Sequence, residues 1–150
     1  MVHKDLIEAV IEVLEVVAQY SDGGEFVLSA LEFYQTQHGK RSKFEDLVKQ
    51  FDKEDYNLDV KVLSLINHLL NNTEDLSIRI EFHNDLLSLG IVPHILTLRR
   101  VDREDLQIQL DAFEEAMQDD HAEVAQEDPG IDVDPENPNR LRYRHFMYTL

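Results

Sequence analysis

The sequence predicts an all-α chain, and three observations carry that reading. Apolar residues return every three or four positions from Leu6 to Met117, which is the period of one helix face. Sustained two-residue alternation and Asn-Gly hairpin dipeptides are both missing, so no sheet is expected. Helix-ending and helix-starting residues, notably Gly39, Ser42, Gly90 and Pro93, punctuate the periodic segments.

Leu6, Val10, Val13, Leu14 and Val17 define the first helix, and Ser21-Asp22-Gly23-Gly24 ends it. Phe26, Val27, Ala30, Leu31 and Tyr34 mark the second, with Gly39 placed as a left-handed C-terminal cap. Ser42 and Glu45 have the capping-box spacing, so the third helix should begin near Lys43 and bury Phe44, Leu47, Val48 and Phe51. Asp52 to Asn57 reads as a polar connection.

The fourth helix, about Leu58 to Asn71, carries a regular core stripe of Leu58, Val62, Leu65, Ile66 and Leu69. A second stripe of Val60, Leu63, Asn67, Leu70 and Asn71 mixes apolar groups with amides, so this helix should be covered on more than one side. Thr73 is placed to cap a fifth helix, which carries Leu76, Ile80, Leu86, Leu87 and Leu89 and stops at Gly90. Pro93 sits where an early helical residue tolerates a missing amide hydrogen, ahead of Ile95, Leu96 and Leu98. The last helix, from about Asp102, uses Leu106, Leu110, Ala112, Phe113 and Met117.

Short helices joined by short turns suit either a helical bundle or stacked two- and three-helix repeats, and the pattern alone does not separate them. The tail departs from it. From Asp119 to Glu136 there are eight Asp or Glu residues and no Lys or Arg, with Pro129-Gly130 and Pro135 as breakers and Pro138 just beyond. Disorder is expected there, dividing the chain into a helical domain of residues 1–118 and an acidic, Pro-containing tail of residues 119–150. Arg140, Arg142 and Arg144 alternate with Leu141, Tyr143 and His145 at its end.

Composition excludes several function classes. A net charge of −17, from 14 Lys+Arg against 31 Asp+Glu, argues against nucleic acid, which requires clustered cations. No apolar run approaches the roughly 18 residues of a membrane span, and without cysteine there is no thiolate metal site, disulfide or cysteine nucleophile. A cytoplasmic setting follows as the expectation. His83 with Asp85, His94, and His121 beside Asp119 and Asp120 could supply ligands or proton carriers. None has a metal-site or catalytic-motif spacing. Hence no catalytic residues, no metal and no cofactor are expected, and a small metal-dependent hydrolase is the unfavoured alternative.

Leu65-Ile66-Asn67-His68-Leu69, followed by Glu74-Asp75-Leu76, Arg79 and Leu86-Leu87-Ser88-Leu89-Gly90-Ile91, resembles the armadillo-repeat regulatory region of diaphanous-related formins, the GTPase-binding and third formin-homology region. Upstream, Gly23-Gly24, Ala30-Leu31 and Lys43-Phe44-Glu45-Asp46-Leu47 are similar to the family's signposts. Downstream, Asp105-Leu106-Gln107-Ile108-Gln109-Leu110 and Phe113-Glu114-Glu115 resemble its acidic, Gln-rich closing helix. His68 stands where many formins have Ala, and His83 and Asp85 stand where Arg and Glu are common.

The resemblance implies an armadillo-like solenoid fragment acting as a non-catalytic protein-binding module in actin cytoskeleton organisation, cytoplasmic and cytoskeleton-associated. It implies two partners, a Rho-family GTPase and the formin C-terminal autoregulatory helix, with actin engaged only indirectly; the autoregulatory helix is what makes the module autoinhibitory. With four prolines and no proline run, a profilin-recruiting segment is not expected, and with no counterpart of the family's actin-nucleating domain neither is filament nucleation. Asn67 and Asn71, beside Leu63 and Leu70, are the candidate peptide groove, since amides bond a peptide backbone while leucines cover its apolar side chains. The competing assignment is that Asn67 ties a neighbouring segment and the leucines meet another helix. If an earlier repeat is missing, the first helix should expose Val10, Val13, Leu14 and Val17, opening a route to self-association or partner binding. A helical-repeat scaffold unrelated to actin is the alternative.

Overall fold

A computed structural model describes the backbone of residues 2–20 and 22–127, and the side chains from 7 to 126 except Ser21. Among these residues the secondary structure is entirely helical: α1 (Val2–Ala18), α2 (Gly23–His38), α3 (Glu45–Lys49) continued by a 3₁₀ turn (Gln50–Lys53), α4 (Tyr56–Asn71), α5 (Leu76–Ser88), α6 (Ile91–Leu98) and α7 (Glu104–Glu127). The helix α4 packs on both α1 and α7, making a central row of three. The segments between them, α2 with the 3₁₀ turn and α5 with α6, pack against that row. Two successive units, each ending in a helix of the row, give the helical-repeat stack expected from the sequence.

Local chemistry accounts for most of the boundaries. Gly39 ends α2 at φ 62°, with its amide bonded to the Gln35 carbonyl, and Gly90 turns the chain into α6 at φ 83°. Both are left-handed conformations that glycine adopts without steric cost. At Gly23 the demand is space: a Cβ there would lie 1.5 Å from the Val17 carbonyl oxygen. Asp55 caps α4 by accepting from the Leu58 amide at 3.3 Å. The Ser42 hydroxyl accepts from the Phe44 amide at 3.1 Å, while the Glu45 carboxylate reaches back to the amide of Arg41. Both bonds of the capping box are thus displaced by one residue, the forward bond to the Phe44 amide in place of Glu45 and the return bond to the Arg41 amide in place of Ser42.

Two expectations are corrected. The fifth helix is capped by Asp75, which accepts from the Ser77 amide at 2.8 Å, whereas the Thr73 hydroxyl donates to the Leu69 carbonyl. Helix α7 also continues past residue 118 to Glu127. Its acidic C-terminal half is retained because Met117 is fully buried and Asp120 accepts from two residues of α5, Arg79 at 3.0 Å and His83 at 2.9 Å. The remaining acidic residues from 128 and the Arg-rich end lie outside the described residues.

The core is continuous, running through Ile11 and Ala18 of α1, Phe44 to Phe51, the α4 leucines, Phe82 and Leu86 of α5, Ile91 to Leu98, and Leu106 to Met117 of α7. Phe44 and Phe82 meet edge to face at 5.3 Å between centroids, with the Lys43 ammonium 4.8 Å from the Phe82 centroid. Burial of this apolar surface is the main stabilising term.

Candidate peptide-binding face

The four candidate groove residues do not share one environment. Leu63 and Leu70 are in the core, with 0% and 2% of their surface exposed, and Asn67 is buried at 6%. The Asn67 amide donates to the backbone carbonyl and to the side-chain Oε1 of Gln109, each at 3.0 Å. Only Asn71 is exposed. Leu63, Asn67 and Leu70 therefore do not line an open groove, because α7 occupies the side of α4 to which Asn67 points. The amide ties a neighbouring helix and the leucines fill the core, which is the competing assignment.

The open side of α4 lies further round the helix. Asn57, Lys61, Ser64, His68 and Asn71 recur at intervals of three and four, so they share one face. Asn57 and Asn71 are exposed, and the side chains of Lys61 and His68 retain 27% and 36% of their surface. This stripe is polar throughout and contains no core residue other than the small Ser64 at its centre. Its signal was present in the sequence as an uninterrupted polar 3–4 pattern beside the Leu-rich ones.

The two neighbouring helices define the edges of the stripe. On the α1 side the Lys61 ammonium bridges Glu8, at 2.6 Å, and Glu12. These hydrogen bonds raise its pKa, so it remains a cation at neutral pH. The Ser64 hydroxyl donates to Glu15, whose carboxylate is also 3.9 Å from His68 Nδ1. At the α7 end, Arg103 donates to the side-chain Oδ1 of Asn57 at 2.9 Å. Exposed Ile108 and Ala112 flank Gln109 in α7. The face thus offers amide donors and acceptors, a carboxylate-rich edge toward α1 and small apolar groups toward α7. An amphipathic peptide could use all three.

The histidine and aspartate candidates are dispersed. His83 is completely buried and pairs with Asp120, and its ring lies 6.2 Å from that of Phe113. Asp85 instead accepts from Ser42 at 3.3 Å, and His94 approaches Asp52 at 3.6 Å. Among the described residues no three His, Asp or Glu side chains gather into a group that could hold a metal ion. None of the described helices is long and apolar enough to cross a membrane.

Comparison with known proteins adds the family context. A family model described as the Diaphanous FH3 Domain matches residues 24–142. Disheveled-associated activator of morphogenesis 2 of Gallus gallus is 30% identical over 142 residues, covering 89% of this chain and 13% of its own length. Formin-like protein 2 of Homo sapiens is 30% identical over 106 residues, covering 69% of this chain and 10% of its own. Inverted formin-2 of Xenopus tropicalis is 32% identical over 127 residues, covering 83% and 9%. The chain therefore spans roughly a tenth of the length of these relatives.

Proposed function

The chain belongs to the Diaphanous FH3 domain family, and from that premise we propose that it is a non-catalytic protein-binding module of formin type, acting in actin cytoskeleton organisation. Its ligand is an amphipathic helical peptide of the formin C-terminal autoregulatory class, held across the open stripe of α4. The observation that supports this reading is the Asn57, Lys61, Ser64, His68, Asn71 stripe, a polar face of α4 that keeps part of its surface exposed between α1 and α7.

In this reading Asn71 and Asn57 bond polar groups of the peptide, Ile108 and Ala112 cover its apolar side chains, and Glu12 and Glu15 attract its cationic end. Recognition rests on burial and hydrogen bonding, with no bond made or broken. Binding of the autoregulatory peptide makes the module autoinhibitory, and a Rho-family GTPase displaces it; actin is reached through the partners, and the setting is cytoplasmic and cytoskeleton-associated.

The test is fluorescence anisotropy with a labelled formin C-terminal autoregulatory helix. Asn71→Ala, on the stripe, and Ile108→Asp, on its α7 edge, should each weaken saturable binding by about tenfold, while Thr97→Ala at an exposed position of α6 leaves it unchanged. Absence of binding to the native chain, or equal loss in the α6 variant, rejects this assignment.

A further inference from the structure

Two residues of the α4 stripe and one of α1 form a small titratable cluster at the edge of the peptide-binding face. The Ser64 hydroxyl donates to Glu15 Oε1, and the same oxygen lies 3.9 Å from His68 Nδ1, which is itself 3.5 Å from Ser64 Oγ. Because the one hydroxyl hydrogen is given to the carboxylate, Ser64 accepts from the ring, so Nδ1 carries a hydrogen and Nε2 is the nitrogen left to take a proton. The His68 side chain keeps 36% of its surface and that of Glu15 keeps 21%, so solvent and a ligand can reach both. Among the described residues Glu15 is the carboxylate that reaches the ring. The charged groups of the other packed elements are engaged or exposed elsewhere. Glu8 and Glu12 of α1 hold Lys61, Glu32 of α2 meets Lys43, Asp52 of the 3₁₀ turn meets His94, and on α7 Asp111 and Glu114 hold Arg99 while Asp105 holds Arg103. Asp22, Glu25, Lys53 and Glu115 are exposed.

We propose that His68 makes this face pH-dependent, loosening its hold on the peptide as the solution turns acid; the proposal rests on the peptide-binding reading above. Histidine is the side chain whose ordinary charge change falls between about pH 5 and 8. A proton on Nε2 puts a positive charge on the stripe, on a ring whose Nδ1 is 3.9 Å from Glu15. That charge offsets the carboxylate that draws the cationic end of the peptide, and it repels the same end directly. Protonation also turns the second ring nitrogen from an acceptor into a donor. The two electrostatic effects have one sign, so acid weakens binding.

The experiment titrates the full chain with a labelled, histidine-free formin C-terminal autoregulatory helix at about pH 7.5 and about pH 5.5, on either side of the histidine range, at matched ionic strength. His68→Gln, which keeps a hydrogen-bonding side chain but does not titrate, is the comparison, and circular dichroism verifies that both chains are folded at both pH values. The native chain should bind about threefold more weakly at the lower pH, the size of one partly exposed charge interaction. In His68→Gln the ratio of the two affinities should fall to about one, whatever the affinity itself. The same ratio in the native chain and in His68→Gln assigns the dependence to another group, such as Asp59, whose raised pKa of about 7 lies in the same range, and overturns the proposal. Native binding that is equal at the two pH values overturns the proposal and leaves the peptide-binding reading standing. No binding at either pH overturns both.

Discussion

Asn67 of α4 donates two hydrogen bonds from one amide nitrogen to Gln109 of α7, at 3.0 Å to the backbone carbonyl and 3.0 Å to the side chain. The bond joins consecutive members of the central row at a buried position, where an unmet polar group costs more than a met one contributes. It explains why an asparagine interrupts the leucine-rich fourth helix: the amide determines how α7 sits on α4.

Asn67→Ala should therefore lower stability by about 1–3 kcal/mol while retaining the native fold. Leu63→Asp places a carboxylate at a site with no solvent access and should prevent folding at ordinary temperature. Urea unfolding followed by circular dichroism checks both. Normal stability for Leu63→Asp would mean that α7 does not cover this side of α4.

Asp59 lies in the first turn of α4, fully buried, with neither carboxylate oxygen hydrogen bonded. Burial, with the Asp55 charge adding to it, raises its pKa from 3.8 to about 7. The favourable N-terminal helix dipole, worth about 0.3–1 kcal/mol, is outweighed by desolvation. Because the folded pKa lies above the unfolded one, its contribution is fully present below pH 3.8 and is lost as pH rises toward 7. Asp59→Asn should stabilise the chain by about 1–3 kcal/mol at pH 8 and change little near pH 4. Denaturant midpoints at the two pH values provide the test.

His83 has the opposite sign. Desolvation lowers its pKa below 6.5 despite the opposing pull of Asp120, so the folded state favours the neutral ring. Its contribution is present above pH 6.5 and is lost as pH falls below that value. His83→Gln retains an N–H donor toward Asp120 but does not titrate. The variant should show a shallower stability decline between pH 6.5 and 5 than the native chain, measured at matched ionic strength.

Gly23 and Gly39 are glycines for different reasons, and asparagine distinguishes them. A Cβ at Gly23 meets the backbone of Val17, at 1.5 Å from its oxygen and 2.6 Å from its carbon. Gly23→Ala and Gly23→Asn should both cost about 1–3 kcal/mol through forced opening of the α1–α2 corner. At Gly39 the space is open and only φ is special, so Gly39→Asn should be nearly neutral, since asparagine tolerates the left-handed region. Thermal melts of the three variants suffice.

How much was legible in the sequence varies with the range of the interaction that decides each feature. The Gly39 and Gly90 turns, the early Pro93 and the burial of Phe44, Leu47, Val48 and Phe51 were readable because each depends on a dihedral or a spacing within one turn. Thr73 against Asp75 was not, since both are good caps. Arg79, reaching the carbonyls of Thr73 and Glu74 at 2.8 and 2.9 Å, holds the chain where Asp75 takes the role.

The sequence by itself determined that the chain is helical, where most helices begin and end, and which family its ordered motifs resemble. Those are consequences of local conformational preference and of residue order. Only the tertiary structure decided that Asn67 faces α7 while Leu63 and Leu70 fill the core, that the Asn57 to Asn71 polar stripe keeps part of its surface exposed, and that Asp120 holds an acidic segment in α7. A helical period shows that a helix has two faces but not which neighbour covers which. That assignment comes from contacts between residues about forty positions apart, such as Asn67 with Gln109 and His83 with Asp120, whose energies no local pattern encodes.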